Sequence, residues 1–217
     1  MKKLTIKEIE YHVGTLSQPS KMPCHGYSLP ATECKRGSIL RKVKNSVCSE
    51  CYALKNRYLF DNVQNAMHKR IDSLKTDRLS WEILLGDLID RKEKSGHFRW
   101  HDSGDLQSPE HLTSINRIAK RLPHIKFWLP TRELVIVEEW LKTNKISPNL
   151  NIRISASLVG KTISSPLTTN PNITTSTVGA DQNKNSVNCP APKQENKCKN
   201  CRACWDTSVS NINYTLH

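Results

Sequence analysis

Residues 98–129 read FRWHDSGDLQSPEHLTSINRIAKRLPHIKFWL, and this stretch decides the fold. Its first residues follow the Gly96 turn and predict a short strand, and its apolar last residues predict another. Between them, Ser108 and Pro109 mark a helix start, because serine is favoured as the N-cap and proline at the first helical position. The stretch therefore predicts a strand at 98–101, a helix at 109–121 and a strand at 125–129.

The pattern continues on both sides of this unit. Downstream it predicts a helix over 134–143 and a strand over 150–155, and upstream it predicts helices over 51–74 and 79–93. Strands that alternate with helices are typical of parallel βαβ units, which form a barrel or an open doubly wound sheet. We expect an α/β fold, a compact or incomplete TIM-like (β/α) barrel that is stapled by two four-cysteine metal sites.

The length of 217 residues suits one domain, and with 36% hydrophobic residues its core is modest. We expect a single domain over 1–217 with four parts. They are a first metal-binding loop, a βα core with a carboxylate site, a loop rich in Ser, Thr, Asn and Pro, and a second metal-binding loop. These parts cover residues 24–51, 52–159, 160–188 and 189–205, respectively.

Eight cysteines fall into two groups of four, one near each end of the chain. The first group is Cys24, Cys34, Cys48 and Cys51, and the second is Cys189, Cys198, Cys201 and Cys204. Four thiolates complete a tetrahedral zinc site, and four also ligate an iron–sulfur cluster. We expect Zn²⁺ first, because it needs only four sulfurs, and a [4Fe–4S] cluster is the alternative.

The first group contains the fragment CSECYA at 48–53. This fragment resembles the end of the cysteine motif of radical S-adenosylmethionine enzymes. In that family a third cysteine stands four residues before the first of these two, and here that position is Lys44. The resemblance implies a cluster-bearing, radical-type enzyme as an alternative function.

A polar loop with the sequence HDSGDLQ occupies residues 101–107, directly after the first predicted strand. In α/β folds the carboxyl ends of the strands line the active site. Asp102 and Asp105 can share such a site, one as nucleophile and the other as general acid or base, because mutual repulsion separates their pKa values. The other interpretation is an Asp-rich turn before the next helix.

Part of this loop, Asp-Ser-Gly-x-Leu-Gln at 102–107, resembles the Asp-Ser-Gly-Gly-Phe-Gln signature of tRNA-guanine transglycosylases. That family is a TIM barrel with a zinc site near its C-terminus. Its enzymes exchange guanine for a 7-deazaguanine through a covalent bond between an aspartate and the ribose. A DNA-acting branch, DpdA, installs 7-deazaguanines in phage and bacterial DNA.

The transglycosylase resemblance implies roles for individual residues. It implies that Asp102 acts as acid or base beside the exchanged base. The family's nucleophilic aspartate has no clear counterpart, and Asp105 is preferred to Asp181 because Asp105 already lies at a strand end. The residues that would form the base pocket are His101, Ser103, Gly104 and Gln107.

The chain as a whole resembles a small phage family called gene product 88. The shared pieces are Cys-Ser-x-Cys-Tyr-Ala at 48–53, Trp-His-Asp-Ser-Gly-Asp at 100–105 and Cys-x-x-Cys-x-x-Cys-Trp at 198–205. This resemblance covers most of the sequence and implies a phage-type protein without naming an activity.

The 33 Lys and Arg residues outnumber the 20 Asp and Glu residues, which gives a formal net charge of +13. Such a field favours a polyanionic partner. We expect DNA, with tRNA less favoured, and a 7-deazaguanine base as the small-molecule substrate. The candidate phosphate contacts lie in the two metal-binding loops and are Arg36, Arg41, Lys42, Lys44, Lys197, Lys199 and Arg202.

No apolar run follows Met1–Lys7, and no stretch approaches the length of a membrane span. We therefore expect a cytoplasmic protein, of the host-cell cytoplasm if it is phage-encoded, with no membrane partner, and the oligomeric state stays open. The leading hypothesis is a DNA-guanine transglycosylase. The alternatives are the radical-type iron–sulfur enzyme and a non-enzymatic, zinc-dependent nucleic-acid-binding module.

Overall fold

A parallel sheet of seven strands organises residues 3–180 and 186–216, the part of the chain that the computed structural model describes. In chain order the strands are β1 (Gly26–Tyr27), β2 (His97–Trp100), β3 (Lys126–Thr131), β4 (Leu150–Ser155), β5 (Ile173–Val178), β6 (Ser186–Asn188) and β7 (Asn211–Tyr214). Across the sheet their order is β1-β2-β3-β4-β5-β7-β6. The α/β class is confirmed, but β1 and β6 are the two outer strands of the sheet, which does not close into a barrel.

Six α-helices accompany the strands in the described part of the chain. They are α1 (Ile6–Val13), α2 (Lys35–Leu40), α3 (Asp61–Thr76), α4 (Arg78–Lys92), α5 (Pro109–Arg121) and α6 (Leu134–Leu141). Helices α1, α4, α5 and α6 pack side by side. None of the helices in the described ranges has the length and apolar character that a membrane span requires.

The two faces of the sheet differ in character. Phe98 and Trp100 of β2 point into an apolar core that they share with the helices. Arg99 lies between them in sequence and therefore points to the other side, because side chains alternate along a strand. We call this second side the polar face. On this face Arg99 is in register with Trp128 of β3, which in turn is in register with Asn151 of β4.

Residues 98–129 form the predicted order of strand, helix and strand. Helix α5 covers 109–121, and the Ser108 hydroxyl accepts a hydrogen bond from the His111 amide at 3.2 Å. Strand β4 also has the predicted bounds, 150–155. These elements are recognisable because an N-cap and an uninterrupted apolar pattern act locally.

Two other segments differ from the sequence prediction. The helix expected over 51–74 starts only at Asp61, because Asn56 adopts a left-handed backbone (φ 52°) and residues 52–59 form two short 3₁₀ turns. The polar loop expected over 160–188 contains β5 and β6. In β5 the polar residues are mostly threonine, whose branched Cβ favours strands.

A single side chain fastens the turn between α5 and β3. The Asn149 amide nitrogen donates to the carbonyls of Ala119, Leu122 and Ile125 at 2.8–2.9 Å. We expect Asn149→Ala to lower the free energy of unfolding by about 2 kcal/mol, since it removes a side-chain donor that three half-buried carbonyls share. Urea denaturation measures the loss, and Lys145→Ala, at an exposed position nearby, should change it little.

Candidate active site at the carboxyl end of the sheet

The loops that follow β1 and β2 are joined to each other. The Leu29 amide donates to the Ser103 carbonyl at 3.0 Å, and the Ser103 hydroxyl donates to the Leu29 carbonyl at 2.9 Å. Gly104 has φ +81°, and a β-carbon there would lie 2.6 Å from the Leu29 Cβ. Ser103 and Gly104, expected in a base pocket, therefore make contacts that hold two strand ends together.

Three cysteines gather beside these joined loops, in the long connection between β1 and α3. A β-carbon placed on Gly37 would lie 3.7 Å from the Cys34 sulfur and 3.8 Å from the Cys48 sulfur. Burial raises the pKa of the Cys34 thiol, and Asp105, Cys51 and Cys48 raise it further by their charge. We call Cys34, Cys48 and Cys51 the cysteine triad.

Gly37 lets two of these sulfurs approach each other. A methyl group there would lie 2.9 Å from the Cys34 Cβ, so Gly37→Ala must displace Cys34. We expect this variant to keep its fold but to lose at least half of any metal bound at the cysteine triad. Metal analysis of the purified protein checks this, with Ser38→Ala as the matched control in the same helix; equal metal content in both would contradict the prediction.

Cys24, expected in the first quartet, lies elsewhere. It packs in a small cluster with Trp128, Trp205 and Cys204, and Cys198 is close enough to raise its pKa. Cys24 precedes β1, whereas the cysteine triad follows that strand, so the two lie on different sides of it in the chain. The structure thus places Cys24 with the second cysteine group rather than with the first.

The cysteines of the second group lie close enough to one another to influence each other's pKa values. Burial and the charges of Cys189 and Cys201 raise the pKa of Cys198, and Cys189 acts in the same direction on Cys204. The Cys204 sulfur also lies 3.3 Å from the Tyr214 hydroxyl. With Cys24, five thiols therefore lie in one neighbourhood.

The distances between the potential ligand side chains distinguish a single zinc ion from an iron–sulfur cluster. Within 3–180 and 186–216, no three Cys, His, Asp or Glu side chains stand close enough to hold one metal ion. Four sulfurs on one zinc ion must lie within about 4 Å of one another, since each Zn–S bond is about 2.3 Å. Sulfurs that bind different irons of a cluster lie farther apart.

Asp102 has one carboxylate oxygen occupied and the other free. Its Oδ2 accepts a hydrogen bond from the Tyr58 hydroxyl at 2.9 Å, and its backbone carbonyl accepts one from the Tyr52 hydroxyl. Its Oδ1 is buried and has no hydrogen-bond partner within the described residues. A buried oxygen without a donor is costly for the protein alone, which makes Asp102 a candidate ligand-binding group.

Asp105 is engaged on both oxygens. Its Oδ1 accepts from the Thr131 hydroxyl at 2.6 Å and the Leu106 amide at 2.8 Å, and its Oδ2 accepts from the Arg132 amide at 2.9 Å. Burial nevertheless raises the pKa of Asp105 to about 6. These bonds tie the end of β2 to the end of β3, and a catalytic role for Asp105 stays a prediction. Asp181, the other stand-in, lies outside the described residues.

His101 is buried in a left-handed conformation (φ 50°), and neither ring nitrogen has a partner among the residues described. Burial, assisted by the charge of Arg99, lowers its pKa to about 3, so the ring is neutral. Its ring lies 5.4 Å from that of His111. Gln107 lines a neighbouring cleft of about 550 Å³ together with Cys34 and His111, and its amide donates to the Asp105 carbonyl at 2.8 Å.

Some of the side chains predicted to contact phosphate are exposed to solvent, and others form hydrogen bonds or ion pairs within the protein. Lys42 and Lys44 are exposed, and Arg36 is exposed while its amide donates to Glu133 at 2.7 Å. Others are engaged: Arg41 donates to the Ala31 carbonyl, Lys197 and Lys199 pair with Glu195, and Arg202 donates to the Lys199 carbonyl.

Sequence reasoning missed Arg99 and Tyr58. Tyr58 binds Asp102, and Arg99 stacks over Trp128 on the polar face with its guanidinium carbon 4.5 Å from the ring centroid. The sequence does contain a signal for Arg99. A charged residue between Phe98 and Trp100 in a buried strand is costly unless it binds a protein group or a ligand. Tyr58 carries no such signal.

The comparisons with known proteins give one result. The family model described as gene product 88 matches residues 2–207 of this chain, a range that holds the cysteine triad, loop 101–107 and the second cysteine group. The searches of curated proteins and of solved structures found no match.

Proposed function

This chain belongs to the gene product 88 family, and we propose that it is an iron–sulfur enzyme of the radical S-adenosylmethionine type. The observation that carries the proposal is the cysteine triad: Cys34 joins Cys48 and Cys51, whereas Cys24 does not. Cys34 thereby takes the part of the third cysteine, which is missing at Lys44. The triad lies beside loop 101–107, at the carboxyl end of the sheet, where α/β enzymes carry their active sites.

Three thiolates suit a reactive centre better than a structural one. A structural zinc ion is closed by four protein ligands, whereas a site with three protein ligands keeps one position open. By the same reasoning, a [4Fe–4S] cluster held by three cysteines leaves one iron without a protein ligand. Such a cluster, with S-adenosylmethionine bound at that iron, supplies radical chemistry.

The spacing of the sulfurs favours the cluster over zinc at the cysteine triad. In the described ranges no three potential ligands converge on one ion, and zinc would need all its sulfurs within about 4 Å of one another. Burial keeps the thiols of Cys34 and Cys48 protonated at neutral pH, so metal binding must release their protons.

The other residues of the site bind and orient the substrate. Asp102 offers its free Oδ1 as a hydrogen-bond acceptor, while Tyr58 fixes its Oδ2 at 2.9 Å. Asp105 holds the ends of β2 and β3 at a fixed separation. Because these carboxylates are buried, water has little access to the reacting atoms.

The second cysteine group has a structural role in this proposal. Its thiols belong to a segment that is already fastened to the sheet, since the Trp205 indole donates to the Phe98 carbonyl at 2.8 Å. The net charge of +13 and the exposed Lys42 and Lys44 favour a nucleic acid or nucleotide as the substrate.

Guanine transglycosylation is the second candidate function. The free oxygen of buried Asp102 is the observation that favours it, because the resemblance assigns Asp102 as the acid or base. In that mechanism Asp105 would be the nucleophile, although its oxygens accept three hydrogen bonds.

The test is anaerobic reconstitution of the full chain with iron and sulfide. The proposal expects about four irons per chain at the cysteine triad, a reduced cluster visible by electron paramagnetic resonance, and a change of that signal when S-adenosylmethionine is added. A protein that takes up zinc alone and exchanges labelled guanine in DNA would overturn the radical-type function and support transglycosylation.

A further inference from the structure

We propose that Arg99 is the binding site for a phosphate group of the substrate, and that the substrate is therefore a nucleotide or a nucleotide unit of nucleic acid. The inference names the substrate class of the proposed enzyme and rests on that proposal for its catalytic meaning. The binding itself is a property of the polar face of the sheet and is measurable without iron.

Arg99 lacks the partners that a half-buried arginine normally has. Its guanidinium stacks on the Trp128 ring at 4.5 Å, and one terminal nitrogen lies 3.6 Å from the Met22 sulfur. Its Nε is buried without an acceptor in the described part of the chain. No Asp or Glu of that part lies within ion-pair distance of it, so its charge is not neutralised by contact.

Two other buried arginines show what a structural role looks like in this protein. Arg153 donates to the carbonyls of Thr175, Ala203, Asp206 and Val209 at 2.7–3.4 Å. Arg70 donates to the carbonyls of Thr15 and Ser28. Arg99 has a thioether sulfur and a tyrosine hydroxyl as neighbouring acceptors, which are weaker than carbonyls. The thiols of Cys24, Cys198 and Cys204 also lie close enough to be affected by its charge.

The surroundings of Arg99 are those of a binding site. Burial lowers the pKa of the Arg99 guanidinium, but nearby Tyr52, Asp102, Tyr214 and Tyr58 together raise it by more, so the guanidinium stays charged. Among the described residues the Asp102 Oδ1 has no donor, just as the Arg99 Nε has no acceptor, and the two side chains do not form an ion pair with each other. A ligand with an oxyanion at one end and a hydroxyl or amino donor at the other satisfies both groups at once.

A nucleotide has this combination of groups. Planar guanidinium binds phosphate oxygens in a bidentate manner, and ribose hydroxyls or base amino groups are donors for Asp102. Tyr52 is about half exposed (51%), although its hydroxyl is engaged, so its ring offers a stacking surface for a base. The net charge of +13 favours phosphate over a simple carboxylate.

Isothermal titration calorimetry of the full chain tests the proposal. The probes are the four deoxynucleoside 5′-monophosphates, deoxyguanosine, inorganic phosphate and glutamate as a carboxylate. We expect at least one monophosphate to bind more tightly than the other three probes. In Arg99→Gln its Kd should rise about ten- to a hundredfold, because a charged hydrogen bond is lost.

Two variants serve as controls. Arg99→Lys keeps the charge but not the planar fork, and its Kd should fall between those of the wild type and Arg99→Gln. Arg117→Gln removes the same charge from an exposed site on α5 and should leave the Kd unchanged. Thermal unfolding confirms that each variant is folded.

Several outcomes overturn the inference. They are a Kd that is equal in Arg99→Gln and the wild type, binding of glutamate in place of the monophosphates, and no saturable monophosphate binding. Failure of the proposed function gives a different result: the chain holds no cluster, yet a monophosphate still binds in an Arg99-dependent manner.

Discussion

Replacing Cys48 by alanine should remove the proposed cluster from the reconstituted protein, and with it the expected cleavage of S-adenosylmethionine. Cys34→Ala and Cys51→Ala should have the same effect, because a three-cysteine site has no ligand to spare. Each variant should contain about four fewer irons per chain than the wild type. Iron and sulfide analysis with electron paramagnetic resonance measures the loss.

Cys24→Ala is the control that separates the cysteine triad from the quartet expected from sequence. Because Cys24 packs with Trp128, Trp205 and Cys204, the variant should keep its triad iron and change only the metal of the second group. A loss of iron equal to that of Cys48→Ala would restore Cys24 to the first site and contradict the proposal. Circular dichroism establishes that each variant is folded.

His101→Asn reduces the loss of stability of the protein in acid. The folded-state pKa of His101 is about 3, below the ordinary value of 6.5, because burial disfavours the charged ring. Between these values the unfolded chain binds a proton that the folded protein does not. The contribution of His101 is therefore fully present above pH 6.5 and is lost as pH falls toward 3.

The size of this effect follows from the shift. From pH 6.5 to 4.5 the wild type should lose about 2 kcal/mol more unfolding free energy than His101→Asn, since each pKa unit corresponds to about 1.4 kcal/mol and the unfolded histidine is already half protonated at pH 6.5. Asparagine is the replacement because it tolerates the left-handed backbone at this position. Urea denaturation at several pH values measures the difference.

Asp105 acts in the opposite direction. Its folded pKa of about 6 is raised, so the folded state binds a proton that the unfolded state releases, and stability falls as pH rises from about 4 to 6. Comparing His101→Asn with the wild type cancels this contribution. His68→Asn, at an exposed position on α3, is the matched substitution and controls for the change from histidine to asparagine itself. Parallel curves for the wild type and His101→Asn would refute the prediction.

The parts of the fold that sequence predicts are those with local signals. The Ser108 cap and the apolar runs of β3 and β4 gave their elements almost to the residue. Strand β5 was missed because it is stabilised by pairing between β4 and β7, and a polar composition conceals such pairing.

The sequence predicts which types of residue form the candidate site, but not which of these residues lie close together in the fold. Spacing along the chain assigned Cys24 to the first metal loop, whereas the path of β1 separates it from Cys34. Asp102 was found from its position after a strand. Its free oxygen, and the missing acceptor of Arg99, depend on which neighbours the sheet supplies, and no local pattern contains that information.

The strand order at one edge of the sheet also sets a sequence of events during synthesis on the ribosome. β7 lies between β5 and β6, and among the described strands β6 pairs only with β7. β6 and the neighbouring Cys189 must therefore wait until residues 211–214 have emerged, whereas β1–β5 can already pair. The nascent chain can thus assemble the surroundings of the cysteine triad before the second cysteine group has its final support.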